Sequence, residues 1–285
     1  MNYFLLALTT AALSAQALST KEYNKKQTNA PIVFTLLSTI FALVVFLFSS
    51  KFKLEFNGET LMYSFLFAIC YATASLGITV AIASGPLSIS SLIQSYSLII
   101  PTFYGILFLN EAVKLTMLIG FLLLVISLFA VNYVKGNEEG QKISKKWIIA
   151  IIFTFIGNGM CSTVQKMQQI ASGGKYKSEF MISALIIGSI MLLPIVLYSE
   201  KGKISISVKK GWFWAAVRGI ANGVVNLLVM ILGGKLPISL LFPVISAGSI
   251  ILSSAISVIF YKEKLTKIQL AGVAIGVVSI VFLNL

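Results

Sequence analysis

Long apolar runs broken by short polar stretches are the dominant pattern along the chain. Read against their breaks, the runs predict ten helical spans, at 2–20, 30–50, 60–84, 87–109, 115–134, 147–170, 180–198, 211–233, 238–260 and 267–285. A helix needs roughly 20 apolar residues to cross the hydrocarbon of a bilayer, and several of these runs meet that length. Gly frees φ and Pro removes an N–H, so both end helices. "SGPL" (Ser84 to Leu87) and "GGKLP" (Gly233 to Pro237) therefore predict tight hairpins after the third and eighth spans. The longest polar interruption, Lys135 to Lys146, lies near the middle. The predicted organisation is a five-helix unit over 1–134, a polar linker over 135–146 and a second five-helix unit over 147–285. Near the start, "SAQA" (Ser14 to Ala17) resembles a small-residue cleavage site, but no Lys or Arg precedes the apolar run. A secretory leader normally has such a basic region, so the run is read as the first membrane helix.

Two stretches repeat each other. "NEAVKLTMLIG" (Asn110 to Gly120) and "KEKLTKIQLAG" (Lys262 to Gly272) each set one glutamate between apolar runs and follow it with a glycine. A shift of 152 residues (263 − 111) carries Glu111 onto Glu263 and Gly120 onto Gly272. The same shift carries Leu118 onto Leu270, Val125 onto Val277, Ser127 onto Ser279 and Asn132 onto Asn284, and brings the joints at Pro86 and Pro237 within one residue of each other. The chain is thus one five-helix unit written twice. Five is odd, so the second copy enters the membrane from the opposite face. Inverted repeats of that kind are a transporter design with the substrate site between repeats. A glutamate just before helix five or ten would meet the positive end of that helix's dipole, and the paired glycines would let helices approach closely.

Composition agrees. The chain is 58% hydrophobic and only 11% charged, with a mean hydropathy of +0.95, whereas soluble domains carry about a quarter charged residues. This predicts an integral, multi-pass protein of the cell membrane, with the lipid bilayer as its surroundings. A net charge of +13 could suggest nucleic acid, but the lysines form short clusters between apolar runs and offer no continuous basic face to a phosphate backbone. No nucleic-acid partner is expected; such lysines orient helices and touch anionic head groups. Cys70 and Cys161 fall inside apolar segments without metal-ligand spacing, so they read as small buried hydrophobes, and neither metal nor cofactor is expected.

Polar residues inside apolar spans are costly and therefore informative. Span eight has Arg218, Asn222 and Asn226 at i, i+4 and i+8, all on one face, and span three has Tyr71, Ser75 and Thr79 at the same spacing. Span four presents Ser90, Gln94, Ser97 and Pro101. Span six presents Asn158, Ser162, Gln165 and Gln169, and span nine a row from Pro243 through Ser246, Ser249 and Ser253 to Ser257. Span one adds Gln16 and Ser19. A single serine reads first as an interhelical hydrogen bond. The Arg218–Asn222–Asn226 stripe is different, because three strong polar groups cannot face lipid; they face a cavity or a partner helix. Arg218 is the only arginine. It either faces the cavity, where its planar fork suits a carboxylate or phosphate, or snorkels toward Lys209 and Lys210. Lys21 and Lys166, near the ends of spans one and six, read either as snorkelling lysines or as charges at opposite mouths of a cavity. The substrate-binding candidates are Arg218, Asn222, Asn226, Tyr71, Ser75, Gln94, Asn158 and Gln165.

A span ending in Glu and followed by a Gly-bearing span, present in both halves of a ten-span chain, resembles the EamA branch of the drug/metabolite transporter superfamily. The resemblance covers nearly the whole chain. It implies an all-α fold of ten transmembrane helices in two inverted five-helix repeats. It also implies a cavity lined by helices one, three, four, six, eight and nine, with five and ten peripheral. Glu111 and Glu263 would then be structural markers, together with Gly120, Gly272, Pro86 and Pro237. The expected function is secondary transport of small polar metabolites, such as amino acids or related anionic or zwitterionic solutes, by alternating access; a lipid or lipid-linked carrier flippase is the alternative. The chain contains no His and no Asp, and all nine acids are glutamates in loops or at span ends. Enzymatic acid–base chemistry inside the membrane thus lacks its groups, and a proton-coupled exchanger would normally carry an acid within the bundle. A monomer or homodimer is expected. Loops after odd-numbered spans hold more Lys and Arg than those after even-numbered spans, which puts both termini outside, whereas the resemblance puts both inside.

Overall fold

A computed structural model describes residues 2–25, 30–52, 54–55, 57–84, 90, 93–94, 96–131, 144–261 and 266–284. Among the described residues the chain forms ten α-helices: α1 (Asn2–Lys25), α2 (Pro31–Ser49), α3 (Gly58–Ser84), α4 (Ile99–Phe108), α5 (Leu115–Val131), α6 (Lys145–Ala171), α7 (Lys177–Ser199), α8 (Ile204–Gly233), α9 (Ile238–Tyr261) and α10 (Lys267–Asn284). A 3-10 turn, Lys201–Lys203, joins α7 to α8. No strand occurs among the described residues. Each predicted span has one of these helices, although in the fourth, 87–109, residues 87–89, 91–92 and 95 lie outside the described residues and α4 begins only at Ile99. Span eight begins earlier than its apolar run, because "ISISVKK" extends the helix N-terminally by about two turns of mixed polar and apolar residues. Among the described residues, six helices are long and apolar enough to cross a membrane, and four shorter apolar helices accompany them. Ile149, Phe153, Leu122 and Ile190 are among many large apolar side chains left exposed on their outer faces, as expected where the surrounding solvent is lipid.

The helices gather into two compact units. One comprises residues 1–76 and 164–234, the other 77–163 and 235–285, so α3 and α6 each contribute to both. In the first unit α8 packs along α1 and α2, and α2 also packs on α7. Glycines make the α8 contact close: a side chain at Gly219 would run into the Ser38 carbonyl, and one at Gly223 would lie 2.8 Å from Val45 Cβ. In the second unit α5 and α10 form the most extensive pairing, and α9 packs on α4, α5 and α10.

The α5–α10 pair displays the repeat directly. Ser127 Oγ donates to the Gly272 carbonyl at 2.7 Å, and Ser279 Oγ donates to the Gly120 carbonyl at 2.8 Å. Both serines are fully buried. Each bond is the image of the other under the 152-residue shift. The end of one helix meets the start of its partner, so the two equivalent helices run antiparallel. A Cβ at Gly120 would come within 2.9 Å of the Leu283 backbone nitrogen, and one at Gly272 within 2.7 Å of Val131 N. The glycines are therefore where the two backbones meet. In the first unit another equivalent pair, α2 and α7, is also antiparallel: Ser49 near the end of α2 faces Ser178 near the start of α7 at 3.4 Å.

The opposite end of that pair carries a charged cap. Ala30 precedes α2 and offers no side-chain cap. Glu200, beyond the end of α7, supplies one instead, accepting from Ile32 N at 3.3 Å and Val33 N at 2.8 Å. A carboxylate on unsatisfied first-turn amides gains both hydrogen bonds and dipole attraction.

Glu111 plays the same part, and here the sequence-based expectation is corrected. Its carboxylate does not serve α5, the helix that follows it. It accepts from Ile238 N and Ser239 N, both at 2.9 Å, at the start of α9. Asn110, with φ of 51°, turns the chain through the left-handed region so that Glu111 N bonds back to the Gly105 carbonyl. Asn is among the few residues that tolerate that region. Gly105 leaves room for the carboxylate, since a Cβ there would lie 2.5 Å from Glu111 Oε2. The dipole argument holds; the helix it acts on is α9. Pro237 stands just before that helix. Pro86 and Glu263 lie outside the described residues.

Candidate substrate-binding site

In the first unit the polar stripe of α8 is joined into a network. Asn222 Nδ2 donates to Gln16 Oε1 of α1 at 3.2 Å. Asn226 Nδ2 donates to both the Asn222 carbonyl, at 2.9 Å, and Asn222 Oδ1, at 3.2 Å. Gln165 of α6 donates through Nε2 to the Asn226 carbonyl at 3.2 Å. Asn222 and Asn226 are half-buried and Gln165 is buried. Three helices thus contribute to one chain of amides.

Arg218 continues the stripe one turn earlier. Its guanidinium lies over the Phe34 ring of α2, 5.1 Å from the centroid. Phe34 in turn stacks on Tyr23 of α1, with centroids 3.9 Å apart and planes 16° from parallel. Tyr23 is fixed by its hydroxyl, which donates to the Ala30 carbonyl at 2.9 Å and shares a hydrogen bond with Ser207. Gly211 leaves the space that the Tyr23 ring occupies. The aromatic stack supports the cation from beneath, an attraction worth about 0.5–2 kcal/mol depending on desolvation. Arg218 is half-buried, makes no hydrogen bond among the described residues, and lies within electrostatic reach of Tyr71. Snorkelling past Lys209 and Lys210 is therefore not needed to account for its position.

Tyr71 of α3 bonds through its hydroxyl to Thr39 Oγ1 of α2 at 2.8 Å. Thr39 already donates to the Thr35 carbonyl at 2.8 Å, so Tyr71 is the donor in that pair. The Tyr71 oxygen keeps its lone pairs free to accept. Its ring passes over Gly188 of α7, where an added Cβ would sit 3.5 Å away. Ser75, one turn on, is half-buried.

Gln94 and Asn158 belong to the second unit. The fourth span is broken there: residues 97–98 form a turn before α4. Pro101 has no N–H for the Ser97 carbonyl, and Ile100 N takes it at 3.1 Å instead. Such breaks follow from the missing donor and the ring's clash with the preceding turn. Asn158 of α6 fills the break, donating to Ser97 Oγ at 2.6 Å and reaching the Gln94 carbonyl at 3.5 Å. Gly159 beside it has no side chain, and a Cβ there would lie 2.6 Å from the Ser97 carbonyl. Interrupted helices are common at transporter binding sites.

Lys166 Nζ donates to the Gly233 carbonyl at 2.5 Å, at the last residue of α8, where a helix presents its negative end. Lys21 is half-buried on α1. Gln169 is buried, with Nε2 toward Met230 Sδ at 3.7 Å. The side chains of Ser253 and Ser257 lie outside the described residues. Sequence reasoning noted Gln16 but did not place it in the site, and it passed over Phe34, Thr39 and Tyr23. Gln16 had a usable signal, an amide inside an apolar run. The other three look like ordinary membrane-helix residues until their neighbours are known.

Comparison with known proteins adds the family. Residues 145–285 match the EamA-like transporter family. No curated protein matches the sequence. A solved structure titled "Crystal structure of protein" superposes with a TM-score of 0.79 at 12% sequence identity, covering 99% of this chain and 95% of its own. At that identity the likeness speaks for the fold, which the two share over nearly their whole lengths. Over residues 145–285 the chain thus carries the sequence of the EamA-like transporter family, part of the drug/metabolite transporter superfamily, on the helices of a multi-pass membrane protein.

Proposed function

We propose that the protein is a secondary transporter of the cell membrane that moves small organic anions or zwitterions, such as amino acids and related metabolites, by alternating access. The observation that carries this reading is the Arg218 guanidinium, half-buried over Phe34 and without a hydrogen bond among the described residues. A cation held in an apolar bundle needs an opposite charge or a set of acceptors. The acids of this chain are loop and helix-end glutamates, and the two whose partners are described, Glu111 and Glu200, are bonded to helix amides. A substrate carboxylate or phosphate supplies the missing partner, and Arg recognises either through two parallel N–H donors.

The test is transport in reconstituted vesicles with wild type, Arg218→Ala and Arg218→Lys. Charged hydrogen bonds are worth about 1.5–3 kcal/mol, so Arg218→Ala should raise KM for an anionic substrate by roughly 10- to 150-fold. Lysine keeps the charge but loses the fork, and should fall between. Unaltered kinetics in a correctly inserted Arg218→Ala protein would remove Arg218 from the site. Head-group translocation without solute flux would replace the reading by a lipid carrier.

A further inference from the structure

The amide network in the first unit has a direction, and that direction is set by the backbone. Asn226 touches the Asn222 carbonyl at 2.9 Å. A carbonyl only accepts, so the Asn226 atom facing it must be nitrogen. The same nitrogen lies 3.2 Å from one side-chain atom of Asn222, which must then be oxygen. That leaves the Asn222 nitrogen turned to Gln16, 3.2 Å away, and the Gln16 atom that meets it must be oxygen. Swapping O and N in any one side chain of the series sets two donors or two acceptors against each other. The orientation of all three amides is therefore fixed from one backbone oxygen.

The consequence falls on Gln16. Its Nε2, with two N–H donors, is the end of the series, and it is buried without a hydrogen-bond partner among the described residues. A buried unmet donor is costly, and each such group in a folded protein calls for an explanation, a bound water, ion or ligand among them. Flipping the amide cannot relieve it, because Asn222 holds the oxygen. Only an acceptor from outside the network can.

We propose that Gln16 is a substrate-contacting residue whose Nε2 donates to an anionic oxygen, a carboxylate or phosphate, in the occupied carrier. This rests on the anion reading above and deepens it: a site with a guanidinium on α8 and an amide donor on α1, and with Asn222 already held by its bonds to Gln16 and Asn226, selects acceptor groups on its ligand. The role of the α8 asparagines changes accordingly. Asn226 and Asn222 orient Gln16, and Gln16 makes the contact.

The test uses the purified full chain in detergent, following its thermal stability with L-glutamate, succinate and inorganic phosphate as separate probes. A ligand that binds the folded state raises stability by mass action. The variants are Gln16→Met, which keeps the length of the side chain but has no donor, and Arg218→Ala. At least one probe should raise the melting temperature of wild type. Gln16→Met should weaken apparent affinity for that probe about tenfold, with the probe-free melting temperature nearly unchanged, since removing the orphan donor relieves as much as it loses. The succinate and phosphate arms separate carboxylate from phosphate as the favoured group. If Arg218→Ala abolishes the shift and Gln16→Met leaves it intact, the Gln16 proposal fails while the anion reading stands. A Gln16→Met protein that is much less stable without probe, yet responds to the probe as wild type does, shows a structural amide and also overturns it. Absence of a shift with all three probes in wild type counts against the anion reading and against Gln16 with it.

Discussion

At the scale of single residues, the two glutamate caps show how much a membrane helix depends on groups delivered from elsewhere in the chain. Glu200 is 7% exposed and takes two amides of α2; Glu111 takes two amides of α9 and is half-buried. Replacing either by Gln leaves one acceptor for two donors and turns an NH2 group toward an N–H. Glu200→Gln should lower stability by about 1–3 kcal/mol, the cost of stranding a buried donor. Glu111→Gln should cost less, because its partly exposed carboxylate already shares its interactions with solvent. Thermal unfolding of the two variants in detergent measures the order directly, and a larger loss at Glu111 would show that exposure does not govern these caps. Neither partnership could be read along the chain: the glutamates are visible as punctuation, while the amides they cap lie 168 and 127 positions away. The sequence offers a principle there and leaves its address open.

At the scale of elements, the α5–α10 pair is the most legible part of the molecule. Gly120, Ser127, Gly272 and Ser279 fall into register under one shift of the sequence, and the structure puts them into two reciprocal hydrogen bonds. Interhelical bonds of this type in membranes average about 0.6 kcal/mol, so Ser127→Ala and Ser279→Ala should each cost about that much and should nearly add when combined. Gly120→Val should cost more, about 1–3 kcal/mol, because it forces overpacking against the Leu283 backbone. A Gly120→Val protein as stable as the serine variants would mean the helix contact yields easily. The stripe on α8 was legible in the same way, since spacing alone puts Arg218, Asn222 and Asn226 on one face. Its direction was not, because hydrogen-bond polarity begins at the Asn222 carbonyl, a group that every residue possesses and no pattern marks. The break in the fourth span was half visible: Pro101 announces it, but Asn158, which fills it, is 57 residues later.

At the scale of the whole molecule, an odd number of helices per repeat fixes that the second copy is inverted but leaves open which face the ends take. The lysine distribution points one way and the family the other. We expect both termini inside, so a C-terminal reporter active only in the cytoplasm should report activity; silence there, with activity from a periplasmic or external reporter, would show that the charge bias decides. The division into two compact units also differs in kind from the division into repeats. Each unit takes helices from both copies, as repeated halves must when equivalent helices such as α2 and α7, or α5 and α10, become each other's neighbours.

The serine–glycine lock between α5 and α10 has one more implication. Ser127 and Gly120 stand on one helix at the spacing that Ser279 and Gly272 keep on the other, so α5 carries both the key and the keyhole. Two α5 helices laid head to tail could exchange the very bonds that α5 exchanges with α10.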